Sequence, residues 1–339
     1  MMTVFQTSAN AVLPIVLLIV LGYFLKRIGF LTPEFLKNGN KFVFRVALPC
    51  MLFCNVYDIP SFSSIRFDAV FYSLAVVLLI FSVGLLSVLL LVREPKRRGV
   101  VLQCAFRSNF AIIGLALAAA IGNAQSQSVA AILSAFTIPL FNVLAVTSLS
   151  VFVGGADKKR ASFSSVMKNI AKNPLILGIA AGFVCLLLRT LQNEAFGETV
   201  FSLAEDVPFL DSAFRSIKAM AAPLALIVLG GQFEFSAVKG LKREILLGTS
   251  MRLLIAPILG VGGAILFNKL GILSFGVDVY PALVALFGSP VAASSAIMAA
   301  EMKNDGQLAT QLMVWTSIFS IATIFLTVSV LTGMGILNS

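Results

Sequence analysis

The sequence predicts an all-α integral membrane protein of about ten transmembrane helices, and three observations carry that reading. Hydrophobic residues make up 59% of the chain and charged residues 12%, about half the charged share of a typical soluble domain. Apolar blocks recur along all 339 residues, each near the roughly 20 residues that the hydrocarbon core requires. Lys and Arg gather in alternate connections between the blocks, as cytoplasmic loops do.

The blocks read as span 1 at Asn10–Lys26, span 2 at Glu34–Val56 and span 3 at Asp68–Val92. Span 4 is Arg98–Ile121, span 5 Gln127–Val153 and span 6 Pro174–Leu191. Span 7 is Ala213–Gln232, span 8 Glu244–Phe267, span 9 Val279–Ala300 and span 10 Gln307–Met334. Spans 2 and 7 are the least apolar, each with charges at its start and a proline inside. No basic residue precedes the first apolar run, and Lys26 and Arg27 follow it. A cleavable signal peptide has the opposite order, so span 1 is expected to stay. Ten spans use up the chain and leave no room for a separate soluble domain.

Loop charge gives an expected orientation. Lys26, Arg27, Lys37 and Lys41 surround the first connection, and Arg93, Lys96, Arg97 and Arg98 the third. Lys158, Lys159, Arg160, Lys168 and Lys172 mark the fifth, Lys239, Lys242 and Arg243 the seventh, and Lys303 the ninth. Even connections are poor in basic residues, and the sixth is acidic. Both termini are therefore expected outside the cell, with the protein in the plasma membrane (a bacterial inner membrane).

Composition removes several function classes. The chain has no histidine, so histidine triads, imidazole metal sites and histidine proton relays fall away. Cys50, Cys54, Cys104 and Cys185 all lie within spans and read as small buried hydrophobes, not metal ligands. No metal or cofactor site is expected. The net charge of +10 sits in short loops, with no basic face bearing interleaved aromatics, which argues against nucleic acid. No nucleophile–base pair points to an enzyme, and no soluble signalling domain points to a receptor.

The chain repeats itself weakly. Span 2 contains Val46-Ala47-Leu48-Pro49-Cys50-Met51-Leu52, and span 7 contains Met220-Ala221-Ala222-Pro223-Leu224-Ala225-Leu226. Span 4 breaks its apolar run at Phe106-Arg107-Ser108-Asn109, and span 9 at Phe287-Gly288-Ser289-Pro290. Both breaks fall in the fourth element of a five-span half. An odd number of spans forces the second half to insert inverted, and paired interruptions of inverted halves point to a transporter's binding site. The expected division is residues 1–153, a cytoplasmic linker at 154–173, and residues 174–339.

The breaks carry the candidate residues. Pro290 frees a carbonyl one turn earlier, and freed backbone groups must be buried or line a wet cavity. Half-helix amino termini meeting there would attract an anion; the plainer reading is that Pro290 and Pro49 only kink packed helices. Arg107 lies roughly 13 Å into span 4 at 1.5 Å per residue, near the bilayer centre, where a cation usually faces water or a counter-charge. No acid lies deep enough to pair with it. It suits a carboxylate substrate beside Ser108 and Asn109, or else it caps carbonyls freed in span 9. Arg45, Lys218 and Arg252 are expected to be shallower and to snorkel to an interface. Asn142, beside Pro139, serves as helix glue or touches substrate. Thr316, Ser317 and Ser320 read as packing residues. The substrate-contacting candidates are thus Arg107, Ser108, Asn109, Ser289, Pro290, Pro49 and Asn142. The candidate hinges are Pro49, Pro223, Gly288 and Pro290. Coupling to a proton or sodium ion, if present, would fall to Glu301, backbone carbonyls and hydroxyls.

At these breaks the sequence resembles the auxin efflux carrier family, which includes plant auxin exporters and bacterial carriers of malonate and related acids. The matching stretches are Ala47–Phe53, Arg107–Gly114, Ala222–Gly230 and Ser289–Ser294, in the family's order. The resemblance implies two inverted five-helix repeats whose broken helices 4 and 9 cross at the substrate. It implies a dimerising scaffold from spans 1, 2, 6 and 7, and a mobile transport domain from spans 3–5 and 8–10. A homodimer that carries a small carboxylate by an elevator motion is the resulting expectation. Asn109 and Pro290 would mark the crossover, with the Pro49 region as its scaffold wall. Where the family often has proline soon after the asparagine, this chain has Ala116 after Gly114-Leu115, which predicts a gentler bend in span 4. The rival expectation is a sodium-coupled symporter like the bile-acid carriers, which share the ten-helix inverted plan.

Overall fold

Every predicted span is helical in the computed structural model, which describes residues 2–58, 66–152, 171–233 and 238–337. The basic fifth connection lies outside the described residues as far as position 170. Helix α1 is Met2–Arg27. Helices α2 (Pro33–Phe42) and α3 (Leu48–Tyr57) join through a π-helical turn at Val43–Ala47, and α4 is Phe67–Leu91. Helix α5 (Pro95–Phe106) breaks before a π turn at Phe110–Gly114 that leads into α6 (Leu115–Ile121). Helix α7 is Ala124–Val151, α8 is Pro174–Phe196, and a short α9 (Leu203–Asp206) precedes α10 (Pro208–Gln232). Helix α11 (Val238–Ser250) continues through π turns at Met251–Ile255 and Ile258–Gly262 to α12 (Gly263–Lys269). Helices α13 (Val279–Gly288) and α14 (Ala293–Glu301) flank the second break, and α15 is Gly306–Gly333. Six helical stretches among the described residues are long and apolar enough to cross a membrane.

The helix ends follow local chemistry. Thr32 accepts a hydrogen bond from the Phe35 N–H at 3.1 Å, with Pro33 in the first turn, where its missing N–H costs nothing. Asp305 caps α15 through the Leu308 N–H at 2.9 Å. Gly197, at φ 78°, closes α8 in the left-handed conformation that glycine adopts freely. Along α4 one face buries Val70, Val77, Ile80, Gly84 and Val88, while Phe71, Leu78, Leu86 and Leu90 are exposed. A surface this apolar on a long helix belongs against lipid.

Two close helix pairs frame the molecule. Helix α1 packs along α10, and α3 along α8. A side chain at Gly22 or Gly230 would strike the facing backbone of Ile227 or Ile19, and one at Gly178 the backbone of Pro49. Small residues let membrane helices approach this closely, which is where their packing energy arises. Exchanging span 1 with 6, and span 2 with 7, converts one pair into the other. Pro49 and Pro223 do not break their helices. Helix α10 runs straight through Pro223, and a single π turn ahead of Pro49 absorbs the lost hydrogen bond.

The bend in span 4 is not gentle. Arg107 is extended at φ −86°, ψ 99°, and Asn109 stays non-helical before the π turn. Span 9 opens likewise between Ser289 (φ −62°, ψ 147°) and Ala292 (φ −63°, ψ 134°). The two open segments pair antiparallel, Ser108 against Val291. The Asn109 N–H donates to the Pro290 carbonyl at 2.7 Å, and the Ala292 N–H to the Arg107 carbonyl at 3.3 Å. Each break supplies the partners that the other needs, so span 4 opens without a proline.

Arg252 completes the junction. The expectation that it snorkels fails: it is 1% exposed, within the π turn at Met251–Ile255. Its guanidinium donates to the Ala105 and Phe106 carbonyls at 3.3 and 3.1 Å, to Leu286 at 3.4 Å, and to Phe287. These carbonyls end α5 and α13, where helix dipoles concentrate negative charge. One buried cation therefore caps two half-helices. Arg252→Met should lower the melting temperature of purified protein by several degrees, because unsatisfied buried carbonyls cost about 1–3 kcal/mol each. Arg252→Lys, with charge but fewer donors, should fall between. A wild-type melting temperature in Arg252→Met would remove the clamp from this account.

Candidate functional site

On the far side of the crossing from Arg252, the second half-helices begin. Neither the turn that starts at Phe110 nor α14 has a side-chain cap. The N-terminus of a helix offers backbone N–H groups and the positive end of its dipole to an anion. Ala111, Ala293 and Ser294, from the two first turns, line a cavity of about 40 Å³, room for two or three water molecules.

Arg107 enters this cavity wall from the first break and is 3% exposed. It donates to Asn142 Oδ1 at 2.8 Å, to Ser294 Oγ at 3.0 Å, and to Met298 Sδ at 3.0 Å. All three partners are neutral, and no carboxylate pairs with it among the described residues. A guanidinium stays protonated, so the cavity carries an uncompensated positive charge. Asn142 is held in turn by its own amide, which donates to the Ile138 carbonyl at 2.8 Å. Ser108 Oγ is buried beside Arg107 and has no hydrogen-bond partner. An orphaned hydroxyl in an apolar interior is costly unless water or a ligand satisfies it.

The opposite wall is apolar and small. Leu48, Met51 and Leu52 come from α3, Ala221, Ala222 and Ala225 from α10, and Leu175 from α8. The cavity thus lies between the crossing helices and the paired helices described above. Its polar groups all belong to the crossing side.

Of the residues expected at a site, Arg107, Ser108, Asn109 and Asn142 line this cavity. Pro290 contributes through its carbonyl, which receives the Asn109 N–H. Ser289 turns away and donates to the Ala285 carbonyl at 2.6 Å, closing the end of α13 that Gly288 terminates. Pro49 lies at the α3–α8 contact, and its neighbours Leu48 and Met51 form the wall instead. Glu301 is absent from the lining; it accepts from Asn40 Nδ2 at 2.9 Å in a second cavity.

Thr316, which the sequence read as a packing residue, and three residues it did not single out support the site. Thr316 Oγ1 accepts from the Val291 N–H at 3.2 Å, and Gln103 Nε2 donates to the Ser295 carbonyl at 2.9 Å. Ser294 and Met298, one turn apart on α14, flank the Arg107 guanidinium. Met298 gave no sequence signal, since methionine in an apolar run reads as packing. Lys218, expected to snorkel, pairs with Asp58 at 2.9 Å, and Arg45 is exposed.

Comparison with known proteins agrees with this architecture. An uncharacterized transporter of Methanothermobacter thermautotrophicus is 24% identical over 330 residues, covering 95% of this chain and 97% of the relative. The family model described as membrane transport protein matches residues 7–328. The chain is a multi-pass membrane protein of the membrane transport protein family, that of the auxin efflux carriers.

Proposed function

We propose that this protein is a secondary transporter of a small organic anion, bound by its carboxylate at the crossing of the two broken helices. The observation that carries the reading is Arg107, a buried cation with neutral partners only, beside an orphaned Ser108 hydroxyl and two uncapped helix starts. A carboxylate there would accept from the guanidinium, the Ser108 hydroxyl, the Asn109 amide and backbone N–H groups, and its charge would balance that of Arg107. The apolar α3 and α10 wall would take the rest of the molecule.

The same geometry supports an inverted repeat and an elevator motion. The 1–7 and 2–6 helix pairs are related by exchange of the halves, and the two breaks meet each other. The polar groups of the cavity lie on the crossing helices and the adjoining α7, while the facing wall from α3, α8 and α10 offers only apolar side chains. A body that holds the anion by itself can slide along such a wall without breaking hydrogen bonds to it.

Asn109→Ala and Arg107→Gln test the site. Hydrogen bonds to a charged group are worth about 1.5–3 kcal/mol, so Asn109→Ala should weaken carboxylate binding about ten- to a hundredfold. Arg107→Gln should impair anionic substrates more than neutral analogues and leave the fold intact, since no buried acid loses a partner. Affinity for a panel of mono- and dicarboxylates and melting temperature are measured on the same purified variants. Unchanged affinity in stable variants would dismiss the crossover site. The orientation is tested separately: a reporter fused after Ser339 that works only in the cytoplasm should stay silent, and strong activity would reverse the topology.

A further inference from the structure

The second cavity has a different character from the first. It is about 550 Å³ and lies where α1, α2 and α10 meet α14 and the start of α15. Lys26, Lys37 and Lys41 line it, against a single acid, Glu301. No ion pair links Glu301 to any of the three lysines, and none of the lysines has an acidic partner among the described residues. The carboxylate bonds instead to Asn40, a residue 3% exposed. Gln307 Nε2, also in the lining, is a buried donor without an acceptor. The cavity therefore holds a net positive charge of about two, three ammonium groups and one spare amide donor, with space between them. This is the donor set for an oxyanion, and it is independent of Arg107.

We infer that this cavity is a second anion site, which takes a phosphate group at the mouth of the protein. The lysines flank the first connection, at the end of α1 and on α2, on the face that loop charge assigns to the cytoplasm. A basic cavity between membrane helices on that side is the arrangement that receives an anionic lipid headgroup from the cytoplasmic leaflet. A soluble phosphate offers the same chemistry without the acyl chains. Because α1, α2 and α10 supply one wall and α14 and α15 the other, an occupied site ties the paired helices to the crossing helices. Occupancy would thus bias the relative position of the two bodies.

The test uses the full-length protein in phosphatidylcholine nanodiscs. One arm replaces a fraction of the lipid with phosphatidylglycerol, and the other adds inorganic phosphate; melting temperature and bound lipid by native mass spectrometry are read. Each lysine near an anionic surface is worth about a fivefold change in affinity. A Lys37→Gln/Lys41→Gln double variant should therefore bind on the order of thirtyfold more weakly. Lys242→Gln, which removes an exposed lysine outside the cavity, should match wild type. A saturable shift with phosphatidylglycerol alone assigns a lipid headgroup, and one with inorganic phosphate assigns a soluble anion. Absence of a saturable response in both arms overturns the proposal, as does an equal response in the double variant. Arg107→Gln keeps this site intact, so its response separates failure here from failure of the crossover reading.

Discussion

An unsatisfied backbone group within the hydrocarbon core costs several kcal/mol, and spans 4 and 9 each open three or four residues of backbone at that depth. Neither opening could persist alone. The Asn109 N–H meets the Pro290 carbonyl, the Ala292 N–H meets the Arg107 carbonyl, and Thr316 receives the Val291 N–H. Arg252 then gathers the last carbonyls of α5 and α13. The rest of the molecule is arranged around keeping these two segments together.

The crossing sorts charge by direction. The two incoming half-helices aim their negative ends at one buried cation, whose two terminal nitrogens both donate to their carbonyls. The two outgoing half-helices turn their positive ends toward a cavity that already contains a second cation, Arg107, held by neutral groups. One side of the junction is electrically closed and the other is open. An anion on the open side would do for the outgoing helices what Arg252 does for the incoming ones.

The surrounding helices have a simpler task. Glycines on α1, α8 and α10 bring backbones into direct contact and make rigid pairs, while alanines on α10 keep the cavity wall shallow. Met and Leu on α3 complete an unbroken apolar face. The polar side of the cavity thus belongs to the crossing helices and α7, and its apolar side to the facing wall.

Length and hydropathy were enough to place ten helical segments, because an apolar run of bilayer length has no other stable use. The break positions were also legible, since Arg107 to Asn109 and Gly288 to Pro290 interrupt such runs in matching places. Asn142 and Ser108 were named for similar reasons, polar residues where polarity is expensive. The partners were not legible. Arg252 sits eight residues into its predicted span and Arg107 nine into its own, a difference too small to tell a snorkelling arginine from a buried one. Only the fold shows that one ends on backbone carbonyls and the other beside a cavity. Pro49 and Pro223 read as breaks, yet a neighbouring π turn and close packing kept both helices running. Span 4 opened without a proline because its hydrogen-bond partners lie about 180 residues away in sequence. Sequence determined where the backbone is interrupted; tertiary structure decided which interruptions face each other, because satisfying a buried N–H or carbonyl depends on what lies across from it in space.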